Sequence, residues 1–215
     1  MNPLIILASA SKARTKLLSD AGLQHQTLVT DVAEEQLTDA FLATNPSDFR
    51  PLVLELATAK ARRGVQLQTA SADRPTLLIG CDSMAEFAGE IFGKPKSPEL
   101  ATKRWQRLRG NTLQLHTGHW VIHRDANGQV FEVGGVSTAS VHFADISDAE
   151  VAAYVASGEP LWVAGGFTLD GLAAPFITGI EGDPSGIIGL SLPLLRNLLH
   201  DLGLSWPSLW NNIES

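Results

Sequence analysis

The sequence predicts one α/β unit spanning residues 1–215, and three stretches carry that prediction. The chain opens with a short apolar run, a serine-rich turn and a helical pattern, as a strand feeding a helix does. A second apolar run, Leu77-Leu78-Ile79, is too short for a helix and is bounded by polar residues, so it reads as a buried strand. Residues 112–124 and 129–143 are long, rich in β-formers and joined at Asn127-Gly128, a strong hairpin signal. Strands thus alternate with helices, and no repeat, linker or low-complexity tract divides the chain.

Composition narrows the function classes. A chain of 215 residues, 44% hydrophobic and 18% charged, can bury a core and reads as a folded soluble protein. A net charge of −7 and a pI near 5.3 argue against a nucleic-acid binder, which shows a basic face. A polyphosphate ligand would therefore need positive charge gathered locally. The single Cys81 sits inside the expected core strand and permits no intramolecular disulfide, which fits a reducing cytoplasm. The N-terminal MNPLIILASASK imitates a secretory signal only faintly, since its apolar stretch is short and follows no basic residue. Pro160–Ile180 is apolar but interrupted by four glycines, two prolines and Asp170, so no membrane span is expected.

In chain order, Leu4–Leu7 reads as a strand and Ser9-Ala-Ser11 as helix-capping material. Residues 12–21 follow as a helix with Leu17, Leu18 and Ala21 on its apolar face and Gly22 as its stop. A serine-rich turn at a helix start favours an anion, through free N–H groups and the helix dipole. Arg14 in that first turn reads as functional, Lys12 as solvated. Residues 26–36 read as extended, ending in an acidic cluster of Asp31, Glu34 and Glu35, one member of which suits a cation. Thr44–Ser47 reads as a turn and 51–63 as a helix with Leu52, Leu56, Ala59 and Arg63 on one stripe. Lys60 stands among alanines that let it lie against another backbone. Ser71–Pro75 is a polar loop.

Asp82 follows the central apolar run, where a carboxylate is held by the sheet and still reaches water. Residues 84–93, MAEFAGEIFG, read as a hairpin about a glycine, ending at Gly93-Lys94-Pro95, where proline fixes the chain behind the lysine. Ser97, Pro98 and Glu99 start a helix with Ala101, Trp105 and Leu108 inward and Gly110 as its end. Ser147 to Glu150 is a capping box, opening a helix through Ala156. His116, His119, His123 and His142 fall on strands without ligand-like partners and read as structural or exposed. Glu159–Gly182 is a glycine-rich segment carrying Asp170, and Leu192, Leu195, Leu199 and Leu202 mark a final amphipathic helix.

Four stretches in this order resemble the Maf family of nucleoside triphosphate pyrophosphatases. They are LASASKARTKLLSDAGL at 7–23, ELATAKA at 55–61, IGCDSMAEFAGEIFGKP at 79–95, and the segment from Glu159 to Leu199. The resemblance implies a twisted mixed sheet with flanking helices, in two lobes around a substrate cleft. It implies hydrolysis of a nucleoside triphosphate to monophosphate and pyrophosphate with a divalent metal, Mg²⁺ or Mn²⁺, often by a homodimer. It places Ser9 and Arg14 in the anion-binding turn, with Lys60 and Lys94 as further phosphate-binding cations. It makes Asp82 the metal ligand and orienter of water, and Glu34 the second acid and metal ligand. The chain departs from the family pattern at Ala13, Ala33, Leu113 and Asp170, where an arginine, an aspartate, a histidine and a glutamine are usual.

Asp170 has two readings: an acceptor for the N–H groups of a base, with Phe167 packing on the ring, or a cap of the glycine-rich turn. A nucleotide-binding regulatory protein tied to division, with little turnover, is the alternative to the enzyme.

Overall fold

The computed structural model describes residues 2–45, 48–68 and 74–210. The expected turn at Thr44–Ser47 and loop at Ser71–Pro75 lie partly outside them. Among the described residues the chain forms one mixed seven-stranded sheet with seven α-helices. The strands are β1 (Leu4–Ala8), β2 (Gln26–Thr27), β3 (Thr76–Phe87), β4 (Glu90–Phe92), β5 (Thr112–Arg124), β6 (Val130–Phe143) and β7 (Ile177–Glu181). Their order is β2-β1-β3-β5-β6-β7, parallel from β2 to β3 and antiparallel beyond, with β4 a short partner of β3.

β3 is the organising strand, and it is longer than its apolar run. It continues through Asp82 and Ser83 to Phe87 because β5 lies beside it throughout, from Thr76 opposite Arg124 to Glu86 opposite Gln114. Asp82 is therefore in mid-strand and not at a strand end. The strand that ends is β1, whose last pair is Ala8 with Gly80, so two residues later Asp82 lacks a β1 neighbour. The hairpin to β4 turns on Ala88 and Gly89, both at positive φ (52° and 77°), the backbone a two-residue hairpin demands. The β5–β6 connection is wider than a two-residue turn. The Asp125 carboxylate closes it by accepting from the backbone N–H groups of Asn127 and Gln129, each at 2.8 Å.

Helix α1 (Lys12–Asp20) starts as expected, with Ser11 capping it by accepting from Arg14 N. Helix α2 (Glu34–Leu42) occupies part of what reads as an extended acidic loop. Its cap position is Ala33, whose side chain makes no capping bond, so no start signal precedes it. Helix α3 (Arg50–Leu67) buries Leu52, Val53, Leu56, Ala57, Lys60, Ala61 and Gly64, a stripe turned away from the expected Ala59 and Arg63. Its small residues face the sheet because the helix lies unusually close. A Cβ at Gly80 would meet the Ala57 carbonyl oxygen at 2.2 Å, and one at Gly118 the Val53 carbonyl oxygen at 2.2 Å.

Helix α4 (Pro98–Leu108) and α5 (Asp148–Ala156) start at Ser97 and at a Ser147/Glu150 capping box. Helix α6 (Pro184–Ile188) is a short helix capped by Asp183, and α7 (Leu192–Asp201) is the final amphipathic helix. Leu18, Ile79, Val121, Leu195 and Leu199 form a core under α1 and α7. On the opposite face Ile6, Leu78 and Ile122 meet Ala61 of α3. A separate aromatic core gathers α4, α5 and the far ends of β5 and β6 around the fully buried Trp105. Its ring stands edge-on to Phe143 and Tyr154, with centroids 5.4 and 4.9 Å away. Among the described residues no helix is long and apolar enough to cross a membrane.

Candidate active site

Where β1 stops, the sheet opens into a cleft of about 980 Å³. Ser9, Arg14, Glu34, Lys60, Asp82, Lys94 and Asp170, all seven residues picked out in the sequence, line it. Strand alternation divides the work on β3. Asp82 shares a face with Gly80 and points toward α3, whereas Cys81 and Ser83 face the α1 side.

The glycines that bring α3 onto the sheet also bring its lysine to the acids. Lys60 Nζ lies 2.6 Å from Asp82 Oδ1 and 2.9 Å from Glu34 Oε1, bridging residues from three elements. Lys60 and Asp82 are buried while Glu34 is half exposed, so the cluster opens to water on the α2 side. The remaining acids of the predicted cluster are engaged elsewhere: Asp31 takes a two-pronged contact from Arg63, and Glu35 lies 3.5 Å from Lys96 across the cleft mouth. Glu34 is thus the member that reaches the Lys60–Asp82 pair.

Arg14 is buried and largely engaged by the protein itself. Its Nε donates to the Gly189 carbonyl at 2.7 Å, Nη1 to Ser9 Oγ at 3.1 Å and Cys81 O at 2.8 Å, and Nη2 to Ser83 Oγ at 3.0 Å. Four of its five N–H bonds are therefore used, and it ties α1, β3 and the α6–α7 connection together. Ser9 Oγ accepts from both Arg14 and Ser11 N (3.2 Å), which leaves its own hydroxyl proton for a ligand. Lys12 and Lys94 line the cleft, are exposed, and form no ion pair or hydrogen bond among the described residues. Lys12, read from sequence as merely solvated, stands beside the open N-terminus of α1.

Cys81 adjoins Asp82 but is no nucleophile. Burial pushes its thiol up to about 11, against the opposing charge of Arg14, so it stays protonated. Behind it, His119 is fully buried and held by two contacts: its Nδ1 meets the Thr117 carbonyl at 3.1 Å, and its Nε2 accepts from Ser191 N at 2.9 Å. Burial first, then the Arg14 charge, lowers it to about 4, leaving a neutral ring that anchors the start of α7. Of the four strand histidines read as structural or exposed, His119 thus takes a structural part, and His116 meets Glu86 and Thr138 at 3.0 and 2.9 Å.

The glycine-rich segment forms the other wall through two 3-10 turns, Glu159–Trp162 and Ala164–Gly166. Glu159, not Asp170, caps it. The Glu159 carboxylate accepts from Tyr154 Oη at 3.0 Å, from Leu172 N at 3.0 Å and from the Thr168 hydroxyl. Burial works against its charge, yet these donors outweigh it and hold Glu159 below the usual carboxylate range. Asp170 accepts no hydrogen bond among the described residues and is exposed at the rim, so the capping reading fails. Phe167 is core, 4% exposed and edge-on to Phe143 at 5.1 Å, and offers no open face to a base. Ser83, Lys12 and Trp162 also line the cleft; Ser83 stood next to Asp82, and Trp162 carried no sequence signal beyond its ring.

The cleft gathers cations of three elements around two carboxylates, Asp82 and Glu34. Its lining carries five cations, Lys12, Arg14, Lys60, Lys94 and Lys96, and five acids, Glu34, Glu35, Asp39, Asp82 and Asp170. That balance contrasts with the chain as a whole, where 23 acids face 16 bases. Among the described residues no group of three or more metal-ligating side chains is assembled. Asp82 Oδ2 and Glu34 Oε2 remain free of hydrogen bonds among these residues, a donor pair that suits a hard cation completing its shell with water and substrate oxygens.

Comparison with known proteins agrees over nearly the full chain. The family described as Maf-like protein matches residues 4–202. A nucleoside triphosphate pyrophosphatase of Streptomyces coelicolor is 47% identical over 214 residues, 98% of this chain and 96% of that protein. One of Nocardia farcinica is 45% identical over 215 residues, 99% of each, and one of Salinispora tropica 46% over 207 residues, 96% and 87%. This chain belongs to the Maf-like protein family.

Proposed function

We propose that the chain hydrolyses nucleoside triphosphates to the monophosphate and pyrophosphate in this cleft, with Mg²⁺ or Mn²⁺ accompanying the substrate. The observation that carries the reading is the Asp82–Lys60–Glu34 cluster, which lines one cleft together with the serine turn at the start of α1. The relatives' names support the activity. A cleft with equal numbers of cations and acids does not by itself offset the charge of a triphosphate, and a divalent cation makes up that deficit.

The residues take these parts. Asp82 and Glu34 would hold the cation, and Asp82 would orient the attacking water and accept its proton. Lys60 holds the two acids together, a positioning part and not the free phosphate clamp that the family resemblance implied. Ser9 donates its hydroxyl proton to a phosphate oxygen, with Arg14 holding it in place. Lys94 and Lys12, unpaired among the described residues, meet the charge that grows on the departing pyrophosphate. Asp170 accepts N–H groups from the base edge, favouring uracil, thymine or guanine. A cytoplasmic location and a homodimer complete the reading; the buried Cys81 supports the first and the family resemblance the second.

The test is a panel of ribo- and deoxyribonucleoside triphosphates, ordinary and modified, with Mg²⁺ or Mn²⁺, scored for both products. Equal monophosphate and pyrophosphate from at least one substrate is expected, with Asp170→Asn reordering the panel. Orthophosphate in place of pyrophosphate, or no release from any substrate, would sink the proposal.

A further inference from the structure

We propose that Trp162 is the platform on which the nucleobase stacks. Among the described residues lining the cleft only Trp162 and Phe167 carry aromatic rings, and Phe167 is sealed into the core. Trp162 lines the cleft, is 66% exposed, and makes no ring-stacking or cation–π contact among the described residues.

Its mount is rigid even though its ring is open. The turn that carries it begins at Glu159, whose carboxylate gathers Tyr154, Thr168 and Leu172, and passes through the buried Pro160. Leu161 O then accepts from Lys96 N at 3.0 Å, which ties the turn to the loop behind Lys94. A large ring left in water on a fixed backbone is ready to lose its hydration to a planar ligand. Every base has a π-face, so this contact adds affinity without choosing a base, and choice falls to the edge contacts. The ligand class follows: nucleotides over inorganic polyphosphates.

The inference rests on the proposed nucleotide substrate, and a binding experiment separates the two. Calorimetry with Mg²⁺ and the α,β-methylene analogues of UTP and GTP, and separately with inorganic tripolyphosphate, compares wild type, Trp162→Ala and Trp162→Phe. Trp162→Ala should weaken both nucleotides about tenfold or more and leave tripolyphosphate within twofold, with Trp162→Phe recovering most of the loss. Unchanged nucleotide affinity in Trp162→Ala, an equal loss for tripolyphosphate, or no rescue by phenylalanine would overturn the platform. Wild type that binds the analogues but turns over no triphosphate would refute the hydrolase and leave the platform standing. Wild type that binds neither analogue would overturn the platform.

Discussion

His119 sits opposite Cys81 on the neighbouring strand, one residue from the register of Asp82, and it makes acid stability a local property. Its value in the folded chain, about 4, lies below the ordinary 6.5, so the unfolded chain takes up the proton more readily. Its contribution is complete above pH 6.5 and is lost as pH falls towards 4. Between pH 7 and pH 5 it should remove about 2 kcal/mol of stability. His123, also lowered by burial, acts in the same direction. Denaturant unfolding of wild type and His119→Gln at both pH values checks this; an equally steep loss in the variant would contradict it. The lowered carboxylates, such as Glu150 and Asp31, act only further down in pH. At this scale the sequence showed which residues bear chemistry but not what they touch. Arg14 looked like a phosphate clamp because its four internal acceptors come from positions 5 to 175 residues away along the chain.

Helix α3 against β3 and β5 sets the geometry of the cluster. Gly118 is the residue opposite Asp82, and its missing Cβ lets the α3 backbone touch the sheet. In Gly118→Ala the new carbon lies 2.2 Å from the Val53 carbonyl oxygen, a backbone atom that moves only with its helix. Overpacking of this kind costs about 1–3 kcal/mol or more, at about 2–4 °C of melting temperature per kcal/mol for a chain of this size. The shift also draws Lys60 off Asp82, so turnover should fall with the melting temperature. A variant that melts and turns over like wild type would refute the close-approach account. Elements with strong start signals, such as α1, α4 and α5, were legible because their capping side chains are in the sequence. Helix α2 was not, since Ala33 caps nothing and its first-turn acids resemble a loop. The small helix α6 did carry a signal in Asp183-Pro184, but the surrounding glycines obscured it. β3 was cut short because Asp82 and Ser83 interrupt its apolar run, while the pairing that sustains it comes from β5.

For the whole molecule, one continuous sheet carries separate groups of core residues on its two faces, and the cleft lies where β1 gives out, lined by the start of α1 and the glycine-rich wall. The mixed sheet and flanking helices were readable from element order and the family resemblance. The Lys60 bridge was not, because it joins residues of three separate elements. On the proposed function the phosphate ligand arrives with a cation at a cleft whose lining charges balance, and Asp82 meets Lys60 there. Asp82→Asn bears on that most directly: it keeps the shape, removes the charge and the proton acceptor, and leaves Lys60 paired with Glu34. Pyrophosphate release from the best substrate of the panel, with saturating Mg²⁺ and folding checked by circular dichroism, should fall by about 10²–10⁴-fold. Release within a fewfold of wild type from the folded variant would contradict the assignment of the chemistry to this cluster.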